Sequence, residues 1–482
     1  MKNSVLRNYI YNLSYQILTL ITPFITTPYL SRVLGPDGIG LYSYTTSIVS
    51  YFILLASMGV SDYAQREIAY HQNDRYIQSR TFFEVLGIRN VLVVISLVSY
   101  YLFLTQVESD HTIYWIQAIN IIAVLFDITW FFQGLEEFGK IVARNFLVRI
   151  VNIVAIFVFI HNPSDLNLYI FLIGFMNVVS GLSIWLYLPK YLVHVERKDI
   201  RPFRNFLIII QLFLPQIAIQ IYTVLDKTMI GVITASPAQN GYYEQAEKIV
   251  KMTLMVVTSL GTVMIPRIAS SYANGDIAMI RHYIMRSYRF VWLVALPMMF
   301  GLIGIIDQVI PWFFGPGYGP VGILVKVFSG LLLAIGINNV TGVQFLIPIN
   351  KQNIFTLTVL IGAVLNFVLN LVLIPIFMSL GAAIASVTAE TVIALVQFHF
   401  VKEYFSLIDV LSISIKYFLC SLIMFFVLEI VQFLMGYPSS ILSTMSLVLI
   451  GCIIYGILLF IWKDSFFLET MEKILGKVRA KL

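Results

Sequence analysis

Four residues of this chain are spaced so that their charges act on one another: Glu244, Glu247, Lys248 and Lys251. Residues of an α-helix advance by about 100° each, so the four fall in one arc of about 100°. The 244/248 and 247/251 spacings set an acid four positions before a lysine, the arrangement that forms ion pairs along a helix. Asp226 and Lys227 adjoin each other, and Lys326, Glu390 and Asp127 stand singly. Lysines beside carboxylates hold anions such as phosphate, and the carboxylates take up a proton or a small cation. Catalytic chemistry finds no matching set. The six histidines are scattered and none has zinc-ligand spacing with Cys or Glu. The run Gly315-Pro-Gly-Tyr-Gly319 reads as a turn, not a phosphate-cradling loop. Cys420 and Cys452 read as small packing residues.

The elements that carry these nine ionisable residues are apolar. The chain has 482 residues, is 59% hydrophobic and only 12% charged, where soluble domains carry about 25%. About fourteen stretches are long enough, at ~20 residues, to cross a hydrocarbon layer as helices. They run over 9–32, 41–61, 83–105, 112–133, 144–161, 167–189, 206–230, 240–265, 288–311, 320–348, 352–377, 380–400, 408–433 and 441–463. Near-end positions being counted with their loops, basic residues gather on alternate loops and both tails. The exceptions are Arg32 on the opposite side and four lysines within spans: Lys227, Lys248, Lys251 and Lys326. Basic residues accumulate on the cytoplasmic side, which places both termini inside and makes the chain a multi-pass protein of the cytoplasmic membrane. The net charge of +6 then reflects topology and lipid headgroups, with no nucleic-acid partner.

An ionisable side chain at a bilayer centre costs about 2.5–3.5 kcal/mol on an insertion scale. Nine of them facing lipid would be prohibitive, so they are expected to face a shared interior, paired or in water. The plain structural alternative is a set of salt bridges that only holds the bundle together. Pro23 and Pro28 in the first span and Pro215 in the seventh are candidate hinges, because proline removes a backbone donor and bends a helix.

The basic segment 190–205 separates two sets of six spans. Gly40-Leu-Tyr42 opens the second span, and Gly241-Tyr-Tyr243 opens the eighth. Six is even, so such a repeat is parallel. The expected organisation is an N-terminal six-helix lobe over 1–195, a C-terminal six-helix lobe over 196–403, two additional helices over 404–463 and a cytoplasmic tail over 464–482. In that tail Phe467, Leu468, Met471, Ile474, Leu475 and Val478 share one helical face, the pattern of an interfacial helix.

Seven segments in this order resemble a known family: Pro28-Tyr-Leu-Ser-Arg-Val-Leu-Gly-Pro-Asp-Gly-Ile-Gly40, Gln65-Arg-Glu-Ile-Ala69, Trp130-Phe-Phe-Gln-Gly-Leu-Glu-Glu-Phe138, Leu225-Asp-Lys-Thr-Met-Ile-Gly231, Gly241-Tyr-Tyr-Glu-Gln-Ala-Glu-Lys-Ile249, Pro266-Arg267 and Gly381-Ala-Ala-Ile-Ala385. They resemble the Wzx-type polysaccharide repeat-unit flippases of the multidrug/oligosaccharidyl-lipid/polysaccharide exporter superfamily. The resemblance covers essentially the whole chain. It implies two six-helix lobes around a central cavity that opens alternately to each side, two extra helices, and an undecaprenyl-diphosphate-linked oligosaccharide as cargo. It implies an inner-to-outer leaflet transfer, with membrane lipids and other polysaccharide assembly proteins as partners. Carried over residue by residue, Arg32, Arg66, Lys227, Lys248, Lys251 and Lys326 would bind the substrate. Asp127, Asp226, Glu244, Glu247 and Glu390 would be charge partners or carry a coupling proton or sodium ion, with no resident cofactor and no metal. The alternatives are a cation-coupled multidrug exporter, a lipid II flippase, and, from another class, a membrane glycan polymerase, which would need a larger acidic or basic loop.

Overall fold

The computed structural model describes residues 2–107 and 111–479, with side chains described for all of these except 2–17, 20, 214, 215, 218, 219, 221, 222 and 473–479. Among the described residues every long element is a helix. The helices are α1 (Lys2–Ser57), α2 (Val60–Tyr70), α3 (Arg75–Leu104), α4 (Thr112–Phe126), α5 (Thr129–Gly134), α6 (Phe138–Phe159), α7 (Leu166–Trp185), α8 (Phe206–Thr234) and α9 (Pro237–Thr258). They continue with α10 (Gly261–Ala273), α11 (Ile277–Phe313), α12 (Val321–Phe328) and α13 (Gly330–Asn338), then a π-helical stretch Asn339–Leu346. The last are α14 (Gln352–Phe377), α15 (Ser379–Val401), α16 (Leu407–Met435), α17 (Ile441–Ile461) and α18 (Ser465–Arg479).

Lipid offers no hydrogen-bond partners, so each crossing must close its own backbone bonds, and helices do this. Among the described residues 12 helical stretches have the length and hydropathy of a span. The first contains two crossings: α1 has 56 residues and breaks at Gly35, with φ 68 and ψ 175. Glycine reaches that conformation without steric cost, and the following Pro36 disfavours helix at the residue before it. With α8, 29 residues long, the crossings number the fourteen expected. The chain is an all-α polytopic membrane protein. The helix runs on through Pro23 and Pro28, so the break in α1 lies beyond both. The side chain of Pro215 lies outside the described residues.

The chain divides into two compact units, Met1–Gly241 and Tyr242–Leu482. In the first, α1 packs on α3, α4, α6 and α8, and α4 and α6 pack on α7. The basic segment after α7 is docked on this unit. The Val193 N–H donates to Ser79 Oγ at 2.9 Å and the Arg201 N–H to Glu84 Oε1 at 3.0 Å. Because that segment and α8 adhere to the first unit, its limit falls one helix beyond the point where the repeat divides in sequence. In the second unit α14 packs on α15, α11 on α16 and α13, and α16 on α17. The helix α18 follows Asp464, whose Oδ1 accepts the Phe467 N–H at 2.9 Å while Oδ2 accepts from Lys416 at 3.2 Å.

Two of the quoted segments are fold-forming. Gln65-Arg-Glu-Ile-Ala69 lies in α2 and Trp130-Phe-Phe-Gln-Gly134 covers α5; these helices pack together. Ile68, Phe131 and Phe132 are fully buried, and Trp130 nearly so. A Cβ on Gly134 would sit 2.8 Å from the Gln65 carbonyl oxygen, so only glycine permits this approach.

Candidate functional site

The second unit carries the charged stripe. On α9, Lys248 Nζ lies 3.3 Å from Glu244 Oε1, and Lys251 Nζ lies 2.7 Å from Glu247 Oε1. Both pairs have the four-residue spacing that the sequence offers. The acids are the sheltered members, with side chains 13% and 14% exposed, against 33% for Lys248 and 59% for Lys251. Both lysines are thus paired and partly exposed: a long flexible ammonium stem reaches outward from a carboxylate held near the helix. Lys326, on α12, is likewise one-third exposed and pairs with Asp307 of α11 at 2.6 Å. Lys248, Lys251 and Lys326 each thus have a carboxylate beside them. Glu390 on α15 accepts a hydrogen bond from Asn338 Nδ2 at 2.5 Å, and its backbone oxygen accepts another at 3.0 Å. The pair ties α15 to α13 next to the π-helical stretch, and such bulges mark places where the helix ladder is locally altered.

The first unit carries the rest. Asp226 is buried and Lys227 partly so. The next residue, Thr228, fixes this part of α8: its Oγ1 shares hydrogen bonds with Ser47 Oγ at 2.9 Å and Tyr51 Oη at 3.1 Å, both on α1. Gly231 makes room for the Tyr44 ring, which a Cβ would meet at 2.1 Å. Arg32 is exposed on α1, with Nη1 at 3.4 Å from the Pro28 carbonyl. Arg66 lies on α2 with its guanidinium 6.0 Å from the Tyr70 ring centre. Asp127 caps the end of α4 and is exposed.

Two groups escaped the sequence reading. Arg89 on α3 is 1% exposed; it donates to the Asp127 carbonyl oxygen through Nη1 and to Ser61 Oγ through Nη2 at 2.9 Å. Its guanidinium carbon lies 5.8 Å from the Trp130 ring centre. It stands several residues inside the span 83–105, yet near enough to the end of that span to be grouped with the preceding loop. At about 1.5 Å per residue that depth was legible. Asp307 was missed for the same reason at the far end of α11. Among the described residues no cluster of His, Cys, Asp or Glu has a metal-binding arrangement.

The polysaccharide biosynthesis protein family matches over residues 5–272. A relative from Escherichia coli (strain K12), named for O-antigen transport, is 24% identical over 83% of this chain and 98% of its own length. A Haloferax volcanii relative, named for flipping in low-salt glycan biosynthesis, is 19% identical over 80% of each chain. A solved lipid II flippase MurJ in an inward closed conformation superposes with a TM-score of 0.74 at 17% identity, covering 95% of this chain and 99% of that one. Fourteen crossings, a charged α9 and a match over more than half of the sequence converge: the chain belongs to the polysaccharide biosynthesis protein family.

Proposed function

We propose that this protein moves an oligosaccharide linked to undecaprenyl diphosphate from the inner to the outer leaflet of the cytoplasmic membrane by alternating access. The observation that carries the reading is the partial exposure of the Glu244–Lys248 and Glu247–Lys251 pairs within Pro237–Ala273, the helical stretch of α9 and α10 that is long and apolar enough to cross the bilayer. Charges at that depth are tolerable in water and costly in lipid, so α9 borders a wet path. The same helix contributes Thr253 to an otherwise apolar cavity of about 350 Å³ in the second unit, lined among others by Pro297, Leu302, Leu428 and Tyr455. A polar stripe and an oily cavity along one helix suit a cargo with a hydrated head and a hydrocarbon tail.

In this mechanism Arg32, Arg66, Lys227, Lys248, Lys251 and Lys326 replace hydration lost by the diphosphate. The lysines act by charge, since an ammonium is a point charge without fork geometry. Asp226 or Glu247 carries a proton or sodium ion on the return step. Pro23, Pro28 and Pro215 serve as bending points. The two six-helix lobes, 1–195 and 196–403, are the moving bodies. Both termini face the cytoplasm, where other assembly proteins meet the transporter. A cationic drug is a poorer cargo, because Glu244 and Glu247 already face lysines.

The test is a deletion strain complemented with wild-type protein, Lys227→Ala or Lys248→Ala. Loss of the protein traps lipid-linked oligosaccharide in the inner leaflet. Each variant is expected to lower surface glycan by about tenfold or more at unchanged membrane abundance, the cost of about 1.4 kcal/mol in substrate interaction. Unchanged export in both variants removes these lysines from the site.

A further inference from the structure

A second cavity, of about 380 Å³, lies within the first unit where α1, α3, α4, α6 and α7 converge, and no step above uses it. Its polar lining includes Ser61, Arg89, Asn120, Asp127, Arg144 and Asn177. Arg144, on α6, is partly exposed. Its Nη1 reaches the Ser180 carbonyl and Thr129 Oγ1, each at 3.3 Å, and its Nη2 donates to Asn145 Oδ1 at 2.7 Å. Asp127 is the one carboxylate in the lining, and its Oδ1 already accepts the Thr129 N–H at 3.0 Å. Two guanidiniums against one carboxylate leave a positive excess in the lining.

Arg89 also has a buried Nε with no hydrogen-bond partner. Leaving a buried donor unmet costs about 1–3 kcal/mol, more for a charged group. Sequence does not force this, since a lysine would have no such donor. Guanidinium is the cation whose planar fork matches two oxygens of a phosphate or carboxylate. The amides are oriented in advance: Asn177 Nδ2 donates to Asn120 Oδ1 at 3.0 Å, and Asn120 Nδ2 to Gln117 Oε1 at 2.8 Å. A positive excess disfavours a cation here, and the polar lining disfavours a hydrocarbon.

We propose that this cavity is an oxyanion site of the phosphate class, in which Arg144 contacts the ligand and Arg89 is a positioning residue that fixes the positive field behind it. The inference deepens the transport reading and rests on it only for the source of the anion. The diphosphate of a lipid-linked glycan and free pyrophosphate present the same oxygens.

The experiment uses the full chain in lipid nanodiscs and isothermal titration with two probes, inorganic pyrophosphate and farnesyl diphosphate. Wild type is expected to bind pyrophosphate. Arg144→Gln is expected to weaken it about tenfold or more, with Arg144→Lys intermediate because charge survives and the fork does not. Arg281→Gln, an equal charge change at an exposed pair with Asp409, is expected to leave binding unchanged. Arg89→Lys, with a thermal midpoint near wild type, is expected to weaken binding at retained charge. Loss of both probes in Arg144→Gln assigns the site to a lipid headgroup, and loss of pyrophosphate alone assigns it to a free anion. Absence of binding by wild type, or equal affinity in Arg144→Gln and Arg281→Gln, overturns the site. Glycan export scored in the same strains separates the two claims. Normal export with lost pyrophosphate binding keeps the site and detaches it from transport. Lost export with intact binding refutes the site and leaves transport standing.

Discussion

The ionisable residues divide by how far their partners lie in sequence. Glu247–Lys251 is a partly exposed pair within one helix, and such pairs are worth about 0.2–0.5 kcal/mol. Exchanging them, Glu247→Lys with Lys251→Glu, is expected to leave the thermal midpoint of the purified protein within about a degree. Glu390 differs, because Asn338 reaches it from another helix at 2.5 Å. A hydrogen bond to a charged group contributes about 1.5–3 kcal/mol. Asn338→Leu should therefore lower the midpoint clearly, and Asn338→Leu with Glu390→Gln should recover part of the loss. A midpoint unchanged in Asn338→Leu would show that the pair is energetically idle. The intrahelical pairs were legible in the sequence because four-residue spacing is local. The partners of Arg89, Lys326 and Glu390 were not, because helix packing chooses them and no spacing announces it.

At the scale of elements, two glycines govern a crossing inside the first unit. A Cβ on Gly40 would sit 1.6 Å from the Pro237 carbonyl oxygen, and one on Gly241 would sit 2.1 Å from that of Pro36. Backbone cannot yield as a side-chain tip does, so Gly40→Ala and Gly241→Ala must open the crossing of α1 with the start of α9. Both are expected to cut the amount of folded protein severalfold by size-exclusion profile. Gly301 on α11 has nothing within 4 Å of its Cβ position, so Gly301→Ala should accumulate as wild type. Equal accumulation of all three would mean that the crossing is loose. These glycines stood out in the sequence as the echo between the second and eighth spans. Their contact did not, since close approach is a tertiary event. The sequence reading leaves 33–40 between the first two spans, and the break in α1 falls there, at Gly35, while the helix runs on through Pro23 and Pro28. Neighbouring helices and side chains resatisfy backbone freed by proline in a membrane helix, whereas a positive φ ends the helix outright.

For the whole molecule, the span count was the most legible property, because twenty apolar residues in lipid have almost no alternative to a helix. The cavities were the least legible, since each gathers residues from several helices. The proposed orientation, with both termini in the cytoplasm, rests on where the basic residues fall, and it is testable. In a Cys452→Ala background, Asn162→Cys should react with an impermeant maleimide on intact cells, while Asn274→Cys should react only after permeabilisation. The reverse pattern would invert the chain. The central claim is transfer of a phosphorylated glycan head through oil, and purified protein in liposomes bearing a fluorescent undecaprenyl-diphosphate oligosaccharide tests it most directly. Wild type should expose lipid from the shielded leaflet to an impermeant quencher many times faster than empty liposomes, and Lys248→Ala should fall back toward the empty rate. Equal rates for wild type and empty liposomes would contradict the account.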